Sequence, residues 1–234
     1  LDEKLINQSG SKRLAYLGNS LRALDEALGN KLHICVGDQV EVLKELKARY
    51  DATSVHISAE YEPYGAARDA RVETAGVALT RTGSPYAVAP GRVVKPSDAT
   101  PYRVYTPFFN NWFKAGWSDP VELSEDFEWI EPINCHGRPE PTKASPFEVK
   151  AGEAFALRTL ERFKKRALHQ YDELRSRADL SGTSHLSHAL AFGEIHPRTI
   201  LAQLGDSAGE NVYRKEIAWR EFYADVLWNN PHTA

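Results

Sequence analysis

Two short stretches carry residue types at a spacing suited to chemistry. In Gly182-Thr183-Ser184-His185-Leu186-Ser187, three hydroxyls fall within five residues where a short helix is expected to open. Hydroxyls beside the free N–H groups and positive dipole of a helix start can cradle a phosphate. Thr183 or Ser184 would serve equally well as a plain helix cap. In Trp219-Arg220-Glu221-Phe222-Tyr223, aromatic and charged side chains crowd into five residues of an expected helix. Glu216 and Arg220 lie four apart, on one helical face, where they could pair or reach a polar ligand. Trp219 and Tyr223 have the same spacing. Exposed, the two rings would make a stacking platform for bases; buried, they would be an ordinary aromatic stripe.

The elements that must hold these residues follow from periodicity. Leu14, Leu17, Leu21, Leu24 and Leu28 repeat at three and four, which predicts a helix with one leucine face, ended by Gly29-Asn30. Leu32 to Val36 reads as a short buried strand, and Gly37-Asp38 turns the chain into a second helix carrying Val40, Leu43 and Leu46. Ser54 to Ser58 is the next strand, a helix follows Pro63, and Val77 to Thr80 gives a third strand. Strand–helix alternation predicts a mostly parallel sheet covered by helices, with ligands beyond the carboxyl ends of its strands. The run opens on a helix, so the expectation is that its first strand precedes this sequence. From Gly83 to Trp117 the pattern changes to turns and aromatics.

Residues 118 to 147, acidic and then proline-rich, read as an interdomain linker. Beyond them the chain is expected to be helical, with Phe155, Leu160, Phe163, Leu168 and Tyr171 near one face. Pro197 should stand in a first helical turn, and Val212, Trp219, Phe222 and Val226 should mark another helix. This gives an α/β domain over 1–117, a linker over 118–147 and the start of a helical domain over 148–234. There is no GxGxxG or P-loop phosphate motif and no internal repeat.

With 42% hydrophobic and 26% charged residues in 234, the composition is that of an ordinary globular protein. No apolar stretch of about 20 residues predicts a membrane span. Cys35 and Cys135 are too few for a disulfide scaffold or a four-ligand zinc site, which points to a reducing, cytoplasmic setting. The net charge of −3 does not mark a nucleic-acid binder, but its distribution is uneven. Ser118 to Glu131 carries six acids and no base, while Arg158 to Arg177 carries seven Lys or Arg against three acids. Such asymmetry is either an electrostatic footprint or a set of solvated helix faces.

Read in order, the motifs resemble one family across practically the whole chain. Tyr61-Glu-Pro-Tyr64 with Arg68-Asp69, Gly83-Ser-Pro-Tyr86 and Tyr105-Thr-Pro-Phe-Phe109 come first. Tyr171-Asp-Glu-Leu-Arg175, Gly182 to Ser187, Phe192-Gly-Glu-Ile-His-Pro-Arg198 and Glu216 to Tyr223 follow. This is the pattern of DNA photolyases and cryptochromes. The resemblance implies an amino-terminal Rossmann-like antenna domain followed by a helical FAD-binding domain.

The resemblance also implies site residues. Tyr171, Thr183, Ser184, His185, Leu186, Ser187, Tyr213 and Arg220 would contact FAD, with the 183–187 run on its phosphate side. Arg175, Glu216, Trp219, Arg220 and Tyr223 would meet DNA. Glu216 would be the carboxyl beside the damaged bases and Trp219 their stacking partner. His185 stands where many members carry arginine. Tyr64 and Gly65 stand where folate-antenna members carry Asn and Glu, so a deazaflavin antenna, or none, is expected. The implied reaction is light-driven splitting of cyclobutane pyrimidine dimers in DNA by a monomeric enzyme, with a cryptochrome-type photoreceptor as the alternative. This chain by itself is expected to hold FAD poorly and to leave Phe155, Phe163, Phe222 and Val226 without packing partners.

Overall fold

Aspartates open two of the amino-terminal helices. In the computed structural model, which describes residues 1–122, 128–131 and 150–233, the Asp2 carboxylate accepts from the Lys4 and Leu5 N–H groups and starts α1 (Glu3–Gln8). Asp38 does the same for Val40 and Glu41 at the head of α3 (Gln39–Tyr50). Each satisfies two donors that a helix start leaves open. Between them runs α2 (Ser11–Ala27). Pro63, at a position with no need of an N–H, begins α4 (Pro63–Thr74). That helix carries the chain from β1 (Val55–Ile57) to β2 (Leu79–Arg81), which pair in parallel with Val55 opposite Leu79. Val40, Val72 and Val77 form a small core here, with Leu43, Val55 and Leu79 against it.

The larger core is helical. It draws on α5 (Tyr105–Ala115), α6 (Glu153–Arg166), a 3-10 turn at Leu168–Gln170 and α7 (Tyr171–Leu174). The remaining contributors are α8 (Ser187–Ala191), α9 (Pro197–Leu201) and α10 (Ala208–Asn229). Trp112, Leu160 and Ile200 are fully enclosed, and Phe108, Phe163, Tyr213, Ile217 and Phe222 surround them. Each such side chain contributes about 1.5–3 kcal/mol through burial. A full capping box of Ser207 and Glu210 fixes the start of α10. Gly209 is required there, because a Cβ would stand 2.1 Å from the Leu168 carbonyl oxygen. That contact seats α10 on the 3-10 turn and α7.

Residues 84–91 lie against this core, held by side chains of α9 and α10. Glu221, 2% exposed, accepts from the Ala87 and Val88 N–H groups and from Trp112 Nε1. Asp225 accepts from Gly91 N at 2.7 Å. Arg198 donates twice to the Ala87 carbonyl, and His196 Nε2 lies 2.8 Å from the Ser84 carbonyl. Gly91 has a φ of +80°, and a Cβ there would press within 2.9 Å of Trp228 Nε1. Burial pushes both carboxyl groups up, against the hydrogen bonds that favour their charged forms.

Several sequence expectations need correction. Leu32 to Val36 forms no strand. Its backbone is engaged elsewhere: Leu32 N donates to Asp25, and the Cys35 carbonyl accepts from the amino group of Leu1. Cys35 is disulfide-bonded, where the sequence reading expected a reducing setting; the other cysteine, Cys135, lies outside the described residues. The leucine face of α2 is only half buried and Leu24 is exposed; the buried residues of this helix are Ala15, Tyr16 and Asp25. The stretch read as turns and aromatics contains α5, whose Pro107 sits in the first turn and removes no helical bond. The third strand begins at Leu79, two residues later than expected, because Val77 is spent in the small core. The single face through Phe155 and Tyr171 is broken after Arg166 into a 3-10 turn and α7. Phe163 and Phe222 are buried and Val226 packs on the core, so these faces do have partners. Most of the expected linker, residues 123–127 and 132–147, lies outside the described residues.

Candidate functional site

Where α7 meets α10, five of the expected residues converge. The rings of Tyr171 and Tyr213 stand edge to face at 5.1 Å, with Phe163 packed on both. Burial pushes the Tyr213 phenol up to about 12, a rise that its hydrogen bond with Ser184 opposes. Tyr171 is raised by burial first and by the Glu216 charge second, with Arg175 acting in the opposite sense. Both phenols therefore stay protonated at neutral pH. Glu216 forms an ion pair with Arg175 across the groove between the helices.

The 182–187 loop lies beside this cluster. Gly182 is buried, and a Cβ would stand 2.7 Å from the Leu174 carbonyl oxygen, which locks the loop onto α7. Thr183 and Ser187 are exposed, and His185 is held at a φ of +55° with its ring 3.5 Å from Thr183 Oγ1. The helix starts only at Ser187, so the hydroxyl run precedes α8, and its N-cap Leu186 uses no side-chain bond. Neither Thr183 nor Ser184 caps it; Ser184 Oγ accepts from Leu186 N at 3.4 Å. The Leu186 side chain is 1% exposed in the core, which leaves only its backbone for a ligand. Exposed hydroxyls beside the first N–H groups of α8 form a donor set that fits the phosphate side of a dinucleotide.

The face-sharing pair expected on α10 does not form. Arg220 turns away from Glu216, donates to the Pro85 carbonyl at 3.0 Å and covers the Tyr86 ring at 4.6 Å. A carbonyl and an aromatic face engage a guanidinium without any carboxylate. Trp219 and Tyr223 are not an equally exposed pair either. Tyr223 is 64% exposed, while Trp219 is half-buried and stacked on Tyr105 with ring centres 3.5 Å apart at 7°. Sequence reasoning missed Tyr105, Glu221 and Asp225 as residues that shape this region. Glu221 and Asp225 at spacing four, within a helix otherwise apolar on that face, were the available signal.

The DNA photolyase family model matches residues 1–126. The chain belongs to the DNA photolyase family. It is 31% identical to a deoxyribodipyrimidine photo-lyase of Synechococcus sp. (strain ATCC 27144), over all of this chain and 55% of that one. It is 32% identical to an uncharacterized 31.6 kDa protein of Synechococcus sp. (strain PCC 6716), over 90% of this chain and 82% of the other. In structure it resembles a class III photolyase from Agrobacterium tumefaciens with a TM-score of 0.76 and 27% identity, over 95% of this chain and 51% of that one. The chain thus spans about half the length of the photolyases it matches. The small parallel sheet followed by helices is the α/β-then-helical order expected of this family.

Tyr64 and Gly65, the two positions on which the antenna expectation rests, are also visible in this photolyase-family chain. Tyr64 is half exposed, and its hydroxyl donates to Asp2 at 2.6 Å. Gly65 is buried under Glu60, whose Cγ would lie 2.0 Å from an added Cβ. The Glu60 carboxylate in turn accepts from the Tyr61 and Glu62 N–H groups before α4. Among the described residues, no helix is long and apolar enough to cross a membrane.

Proposed function

We propose that this chain serves light-driven repair of pyrimidine dimers in DNA, as a deoxyribodipyrimidine photolyase using FAD. The observation that carries the reading is the convergence of Tyr171, Ser184, Tyr213 and Glu216 where α7 meets α10, with Trp219 one helical turn beyond Glu216. A polar, hydroxyl-bearing side and an aromatic side on adjoining elements suit a dinucleotide cofactor next to a base. Reduced FAD, when bound, supplies the electron under light that splits the dimer.

In this reading Thr183 and Ser187 hold the FAD phosphates, the backbone at His185 and Leu186 adds donors, and Tyr171 and Tyr213 wall the cofactor. Glu216 offers its carboxyl group to the carbonyls of the lesion, and Trp219 stacks on a base drawn out of the helix. A dimer leaves the stack at low cost because it is already poorly paired. Arg175 and Tyr223 meet the DNA around it. Arg220 acts at second hand, by fixing the 85–86 segment behind α10. The relatives bear photolyase names, which favours repair over a photoreceptor role. If an antenna binds beyond β1 and β2, the packing of Glu60 over Gly65 favours a deazaflavin over a folate. A monomeric protein acting on damaged DNA completes the proposal, with the two-domain division at residues 117 and 148.

The test is binding of a duplex containing one thymine dimer, measured against the same duplex undamaged. The expected result is a clear preference for the dimer, abolished by Trp219→Ala. Equal affinity for both duplexes would sink the proposal.

A further inference from the structure

Trp219 has a partner that nothing in its own helix supplies. Tyr105, the first residue of α5, lies flat on the indole at 3.5 Å and 7°. Its hydroxyl donates at 2.7 Å to the carbonyl of Lys215, the same carbonyl that the Trp219 N–H takes in an α-helix. One side chain thus touches Trp219 through its ring and through the backbone that carries it. Phe222 meets both rings edge-on, at 5.8 Å from Tyr105 and 5.7 Å from Trp219. Phe109 stacks beyond Tyr105 at 6.0 Å, with the Lys215 ammonium 5.7 Å from its own ring. Burial raises the phenol of Tyr105, which keeps it protonated and donating.

An unsupported indole on a helix surface samples several rotamers, and a base that stacks on it must first select one. We propose that Tyr105 is a positioning residue that holds Trp219 in the orientation in which it receives the flipped base. The inference rests on Trp219 being the stacking surface proposed above. Its content is that α5 sets the geometry of a surface carried by α10. Loss of the ring at position 105 should therefore cost affinity for the lesion and leave affinity for ordinary duplex unchanged.

The experiment uses Tyr105→Leu, Tyr105→Phe, Trp219→Ala and the Leu/Ala double variant in the 234-residue chain. Dimer-containing and undamaged duplexes are titrated, and the near-ultraviolet circular dichroism owed to Trp219 is taken as each protein minus its Trp219→Ala counterpart. Tyr105→Leu should weaken dimer binding by about 3- to 10-fold, the span of one immobilised side chain. Tyr105→Phe should stay near the unaltered protein, because it keeps the ring. The double variant should bind no more weakly than Trp219→Ala alone, since the two losses are one. The Trp219 dichroism should collapse in Tyr105→Leu. If that variant does not fold, Tyr105→Met, whose unbranched chain adapts to an irregular gap and carries no ring, answers the same question. Full dimer preference in Tyr105→Leu alongside its loss in Trp219→Ala overturns the positioning role, as do strictly additive losses. If Trp219→Ala binds the dimer as well as the unaltered chain does, the stacking assignment is what fails. The dichroism then decides Tyr105 alone, and an unchanged Trp219 band overturns its role.

Discussion

Trp219 and the hydroxyls of Thr183 and Ser187 are separable by their readouts. Trp219→Ala is expected to weaken binding of dimer-containing DNA by about 1–3 kcal/mol, the usual worth of one base–aromatic stack. Its flavin affinity should stay unchanged, because its ring partners are Tyr105, Phe222 and Tyr223. Titration with the duplex and, separately, with FAD checks both halves. The complementary variant, Thr183→Ala with Ser187→Ala, should lose about 0.5–1.5 kcal/mol of FAD affinity for each hydroxyl removed. Fluorescence titration of added FAD reads this, and undiminished affinity would remove the loop from the cofactor site. Arg175 is the cation paired with Glu216.

At the scale of elements, the carboxylate of Glu221 replaces a layer of secondary structure. It satisfies two backbone donors of a segment with no strand or helix of its own, and the indole N–H of Trp112 on α5. Glu221→Ala strands two buried donors and one half-buried donor, so a loss of about 3–5 kcal/mol is expected, with Glu221→Gln milder because one acceptor remains. Urea unfolding of the three proteins checks this. Only its spacing of four from Asp225 hinted at the role, since Glu221 otherwise sits between Arg220 and Phe222 like any surface charge. The helices were legible because periodicity is local: α3, α4 and α10 fall where Val40–Leu46, Pro63 and Val212–Val226 put them. The strand expected at 32–36 failed because an apolar run says nothing about whether a neighbour is there to pair with it. In the site, residue types survived the comparison and pairings did not. Spacing on α10 suggested Glu216 with Arg220, but their partners come from α7 and from residues 85–86, which no spacing rule reaches.

Over the whole molecule, His196 links acidity to stability. Its Nε2 faces a carbonyl and must carry the proton, which leaves Nδ1 to accept from the Arg198 N–H at the head of α9. Burial lowers its pKa below the ordinary 6.5, the Ser84 carbonyl opposes this, and Arg198 and Arg220 add to it. The unfolded chain therefore takes up a proton that the folded one resists. The contribution of His196 is full above pH 6.5 and is lost as pH falls through the lowered folded value. Glu221 and Asp225, both raised, act in the opposite sense, so the comparison must be with His196→Gln. Urea midpoints measured from pH 7.5 down to 5, values chosen to bracket roughly the ordinary histidine pKa, should fall more steeply in the unaltered protein than in the variant. For the cofactor, the exposed Thr183–Ser187 side suggests that the purified 234-residue chain retains well under one FAD per chain; stoichiometric flavin with dimer repair under blue light would refute that. The grip of Glu221 and Asp225 on residues 87–91 has a further consequence, one of timing. Those bonds join residues 133 and 134 positions apart. A ribosome adding about 5–20 residues per second needs on the order of ten seconds to cover that distance. For that interval the nascent 84–91 segment has its backbone donors unanswered, and α5 has been made before the carboxylate that will hold its Trp112.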